Sequence, residues 1–179
     1  MKSKSNLLLL SSQLRTVSLG LVLAVLTILY GQGMGIVFGL NEDSIKGRLE
    51  ASATEVRDSV YEGDEAAMQA VLSKSWTYMK RAHLHAGGMG TTALSLLILL
   101  GLISTSRVLN LAFGVALGGG GLGYSVFWMW AGFRAPALGS TGAAKESLAW
   151  FAMPTSGAFV LATIGMLILL VVTCCKTRK

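Results

Sequence analysis

The chain has 179 residues, of which 53% are hydrophobic and only 13% are charged, and its net charge is +6. This composition excludes an ordinary soluble domain and indicates an integral membrane protein. The basic residues lie at the ends of apolar segments, without the interleaved aromatic residues of a nucleic-acid surface, so nucleic-acid binding is not expected.

The first apolar segment follows a short basic one. Residues 1–15 carry Lys2, Lys4 and Arg15 and are predicted to form a cytoplasmic N-terminal segment. Residues 16–40 are almost free of charge and are long enough to cross a hydrocarbon core of about 30 Å, so they are predicted as the first transmembrane helix. A secretory signal peptide is the alternative, but the apolar region is too long and no small-x-small cleavage site follows it.

Residues 41–85 differ from the first segment because they contain eight of the nine acidic residues. Apolar residues recur there at helical spacing, Asn41 and Asp64 are candidate N-caps, and Gly63 is a natural break between two helices. Two amphipathic helices that pack their apolar faces together are predicted to form an extracytoplasmic helical hairpin. No helix breaker precedes Gly87, so the second helix is expected to continue into the membrane.

Three more apolar segments complete the predicted fold. The remaining elements are the second transmembrane helix at 86–104, the third at 108–131, an extracytoplasmic loop at 132–147, the fourth transmembrane helix at 148–175 and a cytoplasmic tail at 176–179. Each apolar segment is long enough to cross the bilayer. The predicted fold is therefore an all-α integral membrane protein, a four-transmembrane-helix bundle with a helical hairpin between the first two spans.

The distribution of charge predicts which side of the membrane each segment occupies. Four spans put both termini on one side, and the termini and the turn at Arg107 carry seven basic residues and no acidic one. Basic residues in short flanking segments favour the cytoplasmic side, so both termini are predicted in the cytoplasm, as in a bacterial inner-membrane protein. An aromatic belt agrees with this orientation; it comprises Trp128, Trp130, Phe133, Trp150 and Phe151.

Glycines recur at four-residue spacing on two of the predicted spans. They are Gly31, Gly35 and Gly39 on the first span, and Gly114 with Gly118 and Gly119 with Gly123 on the third. Small residues at this spacing let helix backbones approach closely, which promotes helix association in a bilayer. The pattern is explained by packing within one bundle or by packing against another subunit, identical or not. The glycine run at 118–121 also allows a local unwinding that would line a small cavity.

The two histidines and four methionines are the candidate ligands. The four methionines each lie about four or five residues inside the same end of a different span, next to the predicted position of the histidines. Thioether and imidazole groups suit Cu(I), and a His/Met pair suits haem iron. The candidate cofactor ligands are His83, His85 and Met89, and the candidate metal ligands are His83, His85, Met34, Met89, Met129 and Met153.

Helical geometry limits how these residues can act. On a helix His83 and His85 point about 200° apart, so they cannot hold one ion together unless the backbone departs from helix there. A structural role is the alternative, because methionine fills gaps between apolar helices and histidine at an interface extends its polar tip toward headgroups.

Three functions are compatible with these features. No ionisable residue other than a histidine lies within a predicted span, and no nucleophile motif is present, so the sequence favours a non-enzymatic protein. The first hypothesis is a subunit or scaffold in a homo-oligomer or larger membrane complex, with the lipid bilayer and other membrane subunits or a second copy as partners. The alternative is a haem- or copper-binding protein that uses His83 or His85 with methionine. The third hypothesis is a small channel or transporter around residues 118–123.

Overall fold

A computed structural model describes residues 14–103 and 105–176 of the chain. Most of the predicted N-terminal segment and the end of the predicted tail lie outside the described residues. The described helices are α1 (Ser18–Thr54), α2 (Arg57–Val60), α3 (Glu65–Leu102), α4 (Arg107–Gly114), a π-helical segment (Val115–Gly119), α5 (Gly120–Arg134), α6 (Thr141–Glu146) and α7 (Ala149–Lys176). The fold class is therefore all-helical throughout the described residues.

Four of the described helical units are long and apolar enough to cross a membrane: α1, α3, the continuous unit Arg107–Arg134, and Ala149–Cys175. We refer to the apolar parts of these units as spans 1 to 4, in chain order. With 37 and 38 residues, α1 and α3 are each about 55 Å long at 1.5 Å per residue, which exceeds a hydrocarbon core of about 30 Å. Their surplus length corresponds to the acidic segment.

The surplus parts of α1 and α3 pack against each other in antiparallel directions. Ile45 and Leu49 of α1 form a buried cluster with Met79 of α3, and a second cluster lies nearer the connection. At that connection Gly63 has a φ of +75°, and the side chain of Asp64 accepts a hydrogen bond from the backbone N–H of Ala67 at 3.0 Å. A left-handed glycine followed by an N-cap ends one helical unit and starts the next.

Asn41 marks a kink between two helical parts of α1. The sequence suggested an N-cap at this position, and the residue has non-helical angles, with φ −132° and ψ 24°, although an N-cap usually has an extended backbone. Helical backbone nevertheless continues on both sides, so the outcome is a kink. α3 has no such interruption and runs through Gly87 and Gly88 to Leu102.

Spans 1 and 3 make backbone contact near the start of both helices. A Cβ at position 20 would lie 2.5 Å from the Cα of Gly114, and one at position 118 would lie 2.8 Å from the carbonyl oxygen of Gly20. Distances this short leave room for a hydrogen atom only. Glycine is therefore required on both helices at this end, which we call the terminal end because span 1 begins and span 4 ends there. Gly20, one of the essential partners, was not among the predicted glycines.

A buried polar network strengthens the terminal end. The side-chain amide of Asn110 is 4% exposed and donates to the hydroxyl of Thr16 at 2.6 Å, and the hydroxyl of Thr105 donates to the Asn110 carbonyl oxygen. These bonds join the start of span 1 to the start of span 3. Next to them, Leu97, Leu100 and Leu117 are fully buried in the main apolar core. The terminal end is thus held by both backbone contact and hydrogen bonds.

The glycine run at 118–121 remains helical. The chain widens into a π-helical segment over Val115–Gly119 and then resumes as α5, so the local unwinding suggested by the sequence is absent from this region. A π segment inserts one residue and rotates the faces that follow it. Gly118 meets span 1, whereas Gly120 and Gly123 meet span 4. A Cβ at Gly120 would lie 2.7 Å from the carbonyl oxygen of Thr155, and one at Gly123 would lie 2.5 Å from the Cγ2 of the same residue.

The remaining predicted glycines divide into packed and open positions. A Cβ at Gly31 would lie 3.0 Å from the Cβ of Ala86, and one at Gly35 would lie 2.9 Å from the imidazole of His83. At Gly39 no atom lies within 4 Å, and at Gly119 the single neighbour belongs to the same helical unit. Four-residue spacing therefore predicted glycines at which another helix approaches closely, but it did not distinguish them from glycines that no other helix contacts.

Candidate functional site at the loop end of the bundle

His83 joins α3 to span 1 at the loop end, the end of the bundle that carries the segment between α5 and α7. Its Nδ1 lies 2.7 Å from the carbonyl oxygen of Gly31. A carbonyl oxygen can only accept, so Nδ1 must carry the proton and donate. The imidazole edge packs against Gly35, and the ring meets Phe38 edge-on at a centroid distance of 6.4 Å. This histidine is an interhelical contact that depends on a glycine to fit.

His85 projects toward span 3 instead. Its ring stacks on Trp128 with centroids 5.9 Å apart, and Tyr124 lies 5.2 Å away. Trp128 also meets Tyr78 edge-on at 4.8 Å. We call the set Tyr78, His85, Tyr124, Phe127 and Trp128 the aromatic cluster. Its members belong to α3 and α5, so stacking contributes to holding these two helices together at the loop end.

Two cations cover the aromatic cluster. The guanidinium of Arg81 lies 5.1 Å from the Trp128 ring centroid and 5.5 Å from that of Tyr78, and the amine of Lys145 lies 5.9 Å from Tyr78. Cation–π attraction positions both groups. The indole N–H of Trp128 is buried and finds no acceptor among the described residues. Lys145, Glu146 and Trp128 also line a shallow groove of about 530 Å³ between spans 3 and 4.

The predicted metal ligands do not converge in the described structure. His83 and His85 contact different helices, Met89 packs beside Gly121, and Met153 is 72% exposed on span 4. Within the described residues no group of three or more His, Cys, Asp or Glu side chains could hold a metal ion. Copper and haem binding therefore gain no support from the geometry.

Two of the predicted methionines do come together, in a cavity beside span 1. Met34 and Met129 line a space of about 610 Å³ between α1, α3 and α5. The other lining residues are Tyr30, Gly33, Val37, Phe38, Asn41, Ser44, Ile45, Arg48, Met79 and Phe133. Apart from the phenol of Tyr30, the interior is thus apolar and aromatic, and an amide, a hydroxyl and a guanidinium lie on the side toward the acidic segment. Apolar pockets with a few polar groups are the usual form of small-molecule sites.

The lining of this cavity contains residues that sequence reasoning missed. Tyr30, Met34, Val37, Asn41, Ser44 and Arg48 recur every three or four positions along α1 and therefore share one face. The signal was present in the sequence, but ending the first span at residue 40 divided the stripe between two elements. Gly33 and Arg48 were not considered, although one opens the cavity and the other lies at its polar side.

Outside the bundle, Tyr61 connects the acidic segment to the loop between α5 and α6. Its hydroxyl donates to the carbonyl oxygen of Pro136 at 2.6 Å, and its side chain is 5% exposed. Burial raises the pKa of the Tyr61 phenol above its usual value of 10.0. The neutral, donating form is therefore favoured, which keeps the two regions joined.

Comparison with known proteins adds no family to these observations. No protein-family model, no curated protein and no solved structure matches this chain.

Proposed function

We propose that this protein is a non-enzymatic subunit or scaffold of a membrane complex, anchored by four spans and presenting the paired ends of α1 and α3 to a protein partner. The observation that carries the proposal is the length of the two helices. Each extends well beyond a bilayer core of about 30 Å, and the surplus parts pack on each other through buried side chains. A prepacked surface loses little conformational entropy on binding, which favours docking.

The exposed surface of the spans supports membrane anchoring. Large apolar side chains face outward on span 4, where Leu161 is 70% exposed and Leu167 is 62% exposed, and on span 1, where Ile36 is 63% exposed. In water such a continuous apolar surface would be unfavourable, whereas lipid tails accommodate it. The described spans therefore suit contact with a bilayer.

We propose further that the paired helix ends lie outside the cytoplasm, as in the inner membrane of a bacterium. Arg15 and Arg107 lie at the terminal end, and basic residues in short flanks favour the cytoplasmic side. Cysteine labelling of intact cells tests this orientation in a Cys174→Ser, Cys175→Ser background. Glu55→Cys should react with an impermeant maleimide, and the single-cysteine protein that retains Cys175 should not. The reverse pattern would overturn the orientation.

Site-specific photocrosslinking tests the subunit role. A photoreactive residue is placed at Glu55 on the paired helix ends and, as a matched control, at Leu167 on the lipid-facing side of span 4. A discrete protein adduct at position 55 that is absent at position 167 supports the proposal. Two results together would favour the metal-binding alternative over the subunit role. They are the absence of a protein adduct at both positions and a haem absorbance band or stoichiometric copper in the purified chain that is lost in His83→Ala.

A further inference from the structure

We infer that the cavity beside span 1 binds one anionic phospholipid, with an acyl chain in the apolar interior and the phosphate at Arg48. The inference goes beyond the subunit role and does not require a protein partner. It depends on the depth of the cavity, on the placement of its polar groups and on the open space at Gly33.

The depth of the cavity matches one leaflet of a bilayer. The lining residues on α1 run from Tyr30 to Arg48, and the part from Tyr30 to the first of the polar residues, Asn41, corresponds to about 16 Å at 1.5 Å per residue. Half of a hydrocarbon core of about 30 Å is of the same size. The volume of about 610 Å³ lies within the range of about 300–1,000 Å³ that is usual for small-molecule sites. An extended acyl chain running parallel to span 1 fits this shape.

The interior offers apolar contacts to such a chain. Met34, Met79 and Met129 lie on α1, α3 and α5 respectively, and all three side chains line the cavity. Thioether side chains are flexible and polarisable, so they adapt to a chain whose conformation varies. Phe38 and Phe133 add aromatic walls from α1 and α5. Apolar lining without a carboxylate disfavours a fully charged or strongly polar occupant of the interior.

The polar groups lie together at the end of the cavity where span 1 gives way to the acidic segment. This end is lined by Asn41, Ser44 and Arg48, and the kink at Asn41 lies between it and the apolar part of span 1. Arg48 has an exposed guanidinium that pairs with no carboxylate among the described residues. Asp43 and Glu50 are the acidic residues nearest to Arg48 in sequence and form no ion pair among the described residues, and Glu42 is bound to Lys46 at 2.5 Å.

Charge decides the class of lipid. A guanidinium together with an amide and a hydroxyl suits a phosphate, whose oxygens accept charge-assisted hydrogen bonds, and it suits best a lipid whose headgroup adds no cation to that phosphate. A zwitterionic headgroup would bring a second cation toward Arg48. The cavity is therefore expected to discriminate phosphatidylglycerol from phosphatidylcholine of the same chain length.

Native mass spectrometry of the detergent-purified full chain tests the inference. The protein is mixed with phosphatidylglycerol or with phosphatidylcholine of identical acyl chains, and bound lipid is counted per chain. We expect one phosphatidylglycerol to bind at least about tenfold more tightly than phosphatidylcholine, because repulsion between the choline cation and Arg48 offsets the attraction of the phosphate. Arg48→Gln should lower phosphatidylglycerol binding about tenfold and leave phosphatidylcholine binding unchanged. Equal binding of the two lipids to the wild-type chain would overturn the inference.

A glycine substitution tests the acyl-chain site separately. No atom lies within 4 Å of a Cβ at Gly33, so Gly33→Leu fills part of the cavity without a backbone clash. We expect it to abolish the bound lipid. The matched control is Gly39→Leu, which is equally open and does not line the cavity, and it should bind lipid like the wild type. Wild-type lipid binding by Gly33→Leu would contradict the proposed location.

A crosslinking measurement on an otherwise unchanged chain avoids any question of folding in the leucine variant. A photoreactive residue at Val37, which lines the cavity, should form an adduct whose mass equals that of phosphatidylglycerol. The same residue at Leu161 on span 4 should show no preference between the two lipids. An adduct at Val37 with a second copy of this chain would instead assign the cavity to a dimer interface and overturn the inference.

Discussion

Spans 1 and 3 contact each other directly at the terminal end and are separated by a cavity at the loop end. At the terminal end Gly20 faces Gly114 with space for a hydrogen atom only. At the loop end the same two helices present Met34 and Met129, with about 610 Å³ between them and α3. One pair of helices therefore changes from backbone contact to an open site over a few turns.

The difference shows how side-chain size controls helix separation. Lipid tails are as apolar as leucine, so helices in a bilayer associate through close packing and hydrogen bonds. Glycine permits such packing at the terminal end, and Asn110 adds polar bonds there. Tyr30, Met34 and Phe38 are too large for backbone contact and keep the helices apart at the loop end. Substitutions at the two ends should therefore have unequal effects, even when the change in residue is the same.

The largest effect is expected from Gly20→Leu. Its side chain would overlap the Gly114 backbone, and overpacking a tight core costs about 1–3 kcal/mol, so we expect a loss near 3 kcal/mol. The free energy of unfolding is measured by adding dodecyl sulfate to protein in mild detergent and following tryptophan fluorescence. Gly39→Leu is the control because its position is open. A loss below about 1 kcal/mol for Gly20→Leu would mean that the two backbones are farther apart than described.

Tyr61→Phe tests the contact that connects the acidic segment to the loop end. Removing the hydroxyl leaves the carbonyl oxygen of Pro136 with only the longer hydrogen bond from the backbone N–H of Gly139 at 3.3 Å, which should cost about 1–1.5 kcal/mol in the same unfolding experiment. Tyr61→Leu would lose aromatic packing as well as the hydrogen bond. The difference in stability between the two variants therefore measures the contribution of the aromatic ring. An unchanged stability of Tyr61→Phe would indicate that water replaces the phenol.

The Asn110 network should contribute about 1 kcal/mol, because interhelical hydrogen bonds in membrane proteins average about 0.6 kcal/mol and reach about 1.7 kcal/mol. Asn110→Leu keeps the volume similar and removes the bonds to Thr16 and Thr105. The double variant with Thr16→Val measures the coupling between the two residues in a thermodynamic cycle. A coupling energy of zero would contradict the network.

Gly33→Ala should have the opposite sign from Gly20→Leu. A Cβ at Gly33 meets no atom within 4 Å, and alanine is favoured over glycine in a helix by about 1 kcal/mol. We therefore expect the unfolding free energy to rise by about 0.5–1 kcal/mol. Destabilisation by this variant would show that the space beside Gly33 is smaller than described.

The smallest effect is a dependence on alkaline pH. Because the pKa of Tyr61 is raised above 10.0 in the folded protein, the unfolded chain loses this proton first as the pH rises. The stabilisation is fully present below pH 10 and declines as the pH approaches the folded-state pKa. Unfolding measured between pH 8 and pH 11 should show this decline, and the Tyr61→Phe variant should show a shallower one.

Sequence reasoning found the helices more readily than the site. Four helices long and apolar enough to cross a membrane coincide with the apolar segments of the sequence. The break between α1 and α3 lies at Gly63 and Asp64, as these residue types predicted. Local residue types determine these features. The cavity was missed because its face crosses Asn41, where the prediction changed from a membrane helix to a soluble hairpin, and Arg48 was thereby separated from Met34.

The amino-acid sequence by itself determined the all-helical fold class and the positions of four apolar helical units, since the length of an apolar run and the spacing of apolar residues are local properties. Only the tertiary structure decided which glycines pack, which helix each histidine contacts and where an open space remains. Gly35 meets His83 whereas Gly39 meets nothing, although both belong to the same four-residue pattern. The relative rotation and separation of the helices cause this difference, and they depend on every contact along the bundle at once.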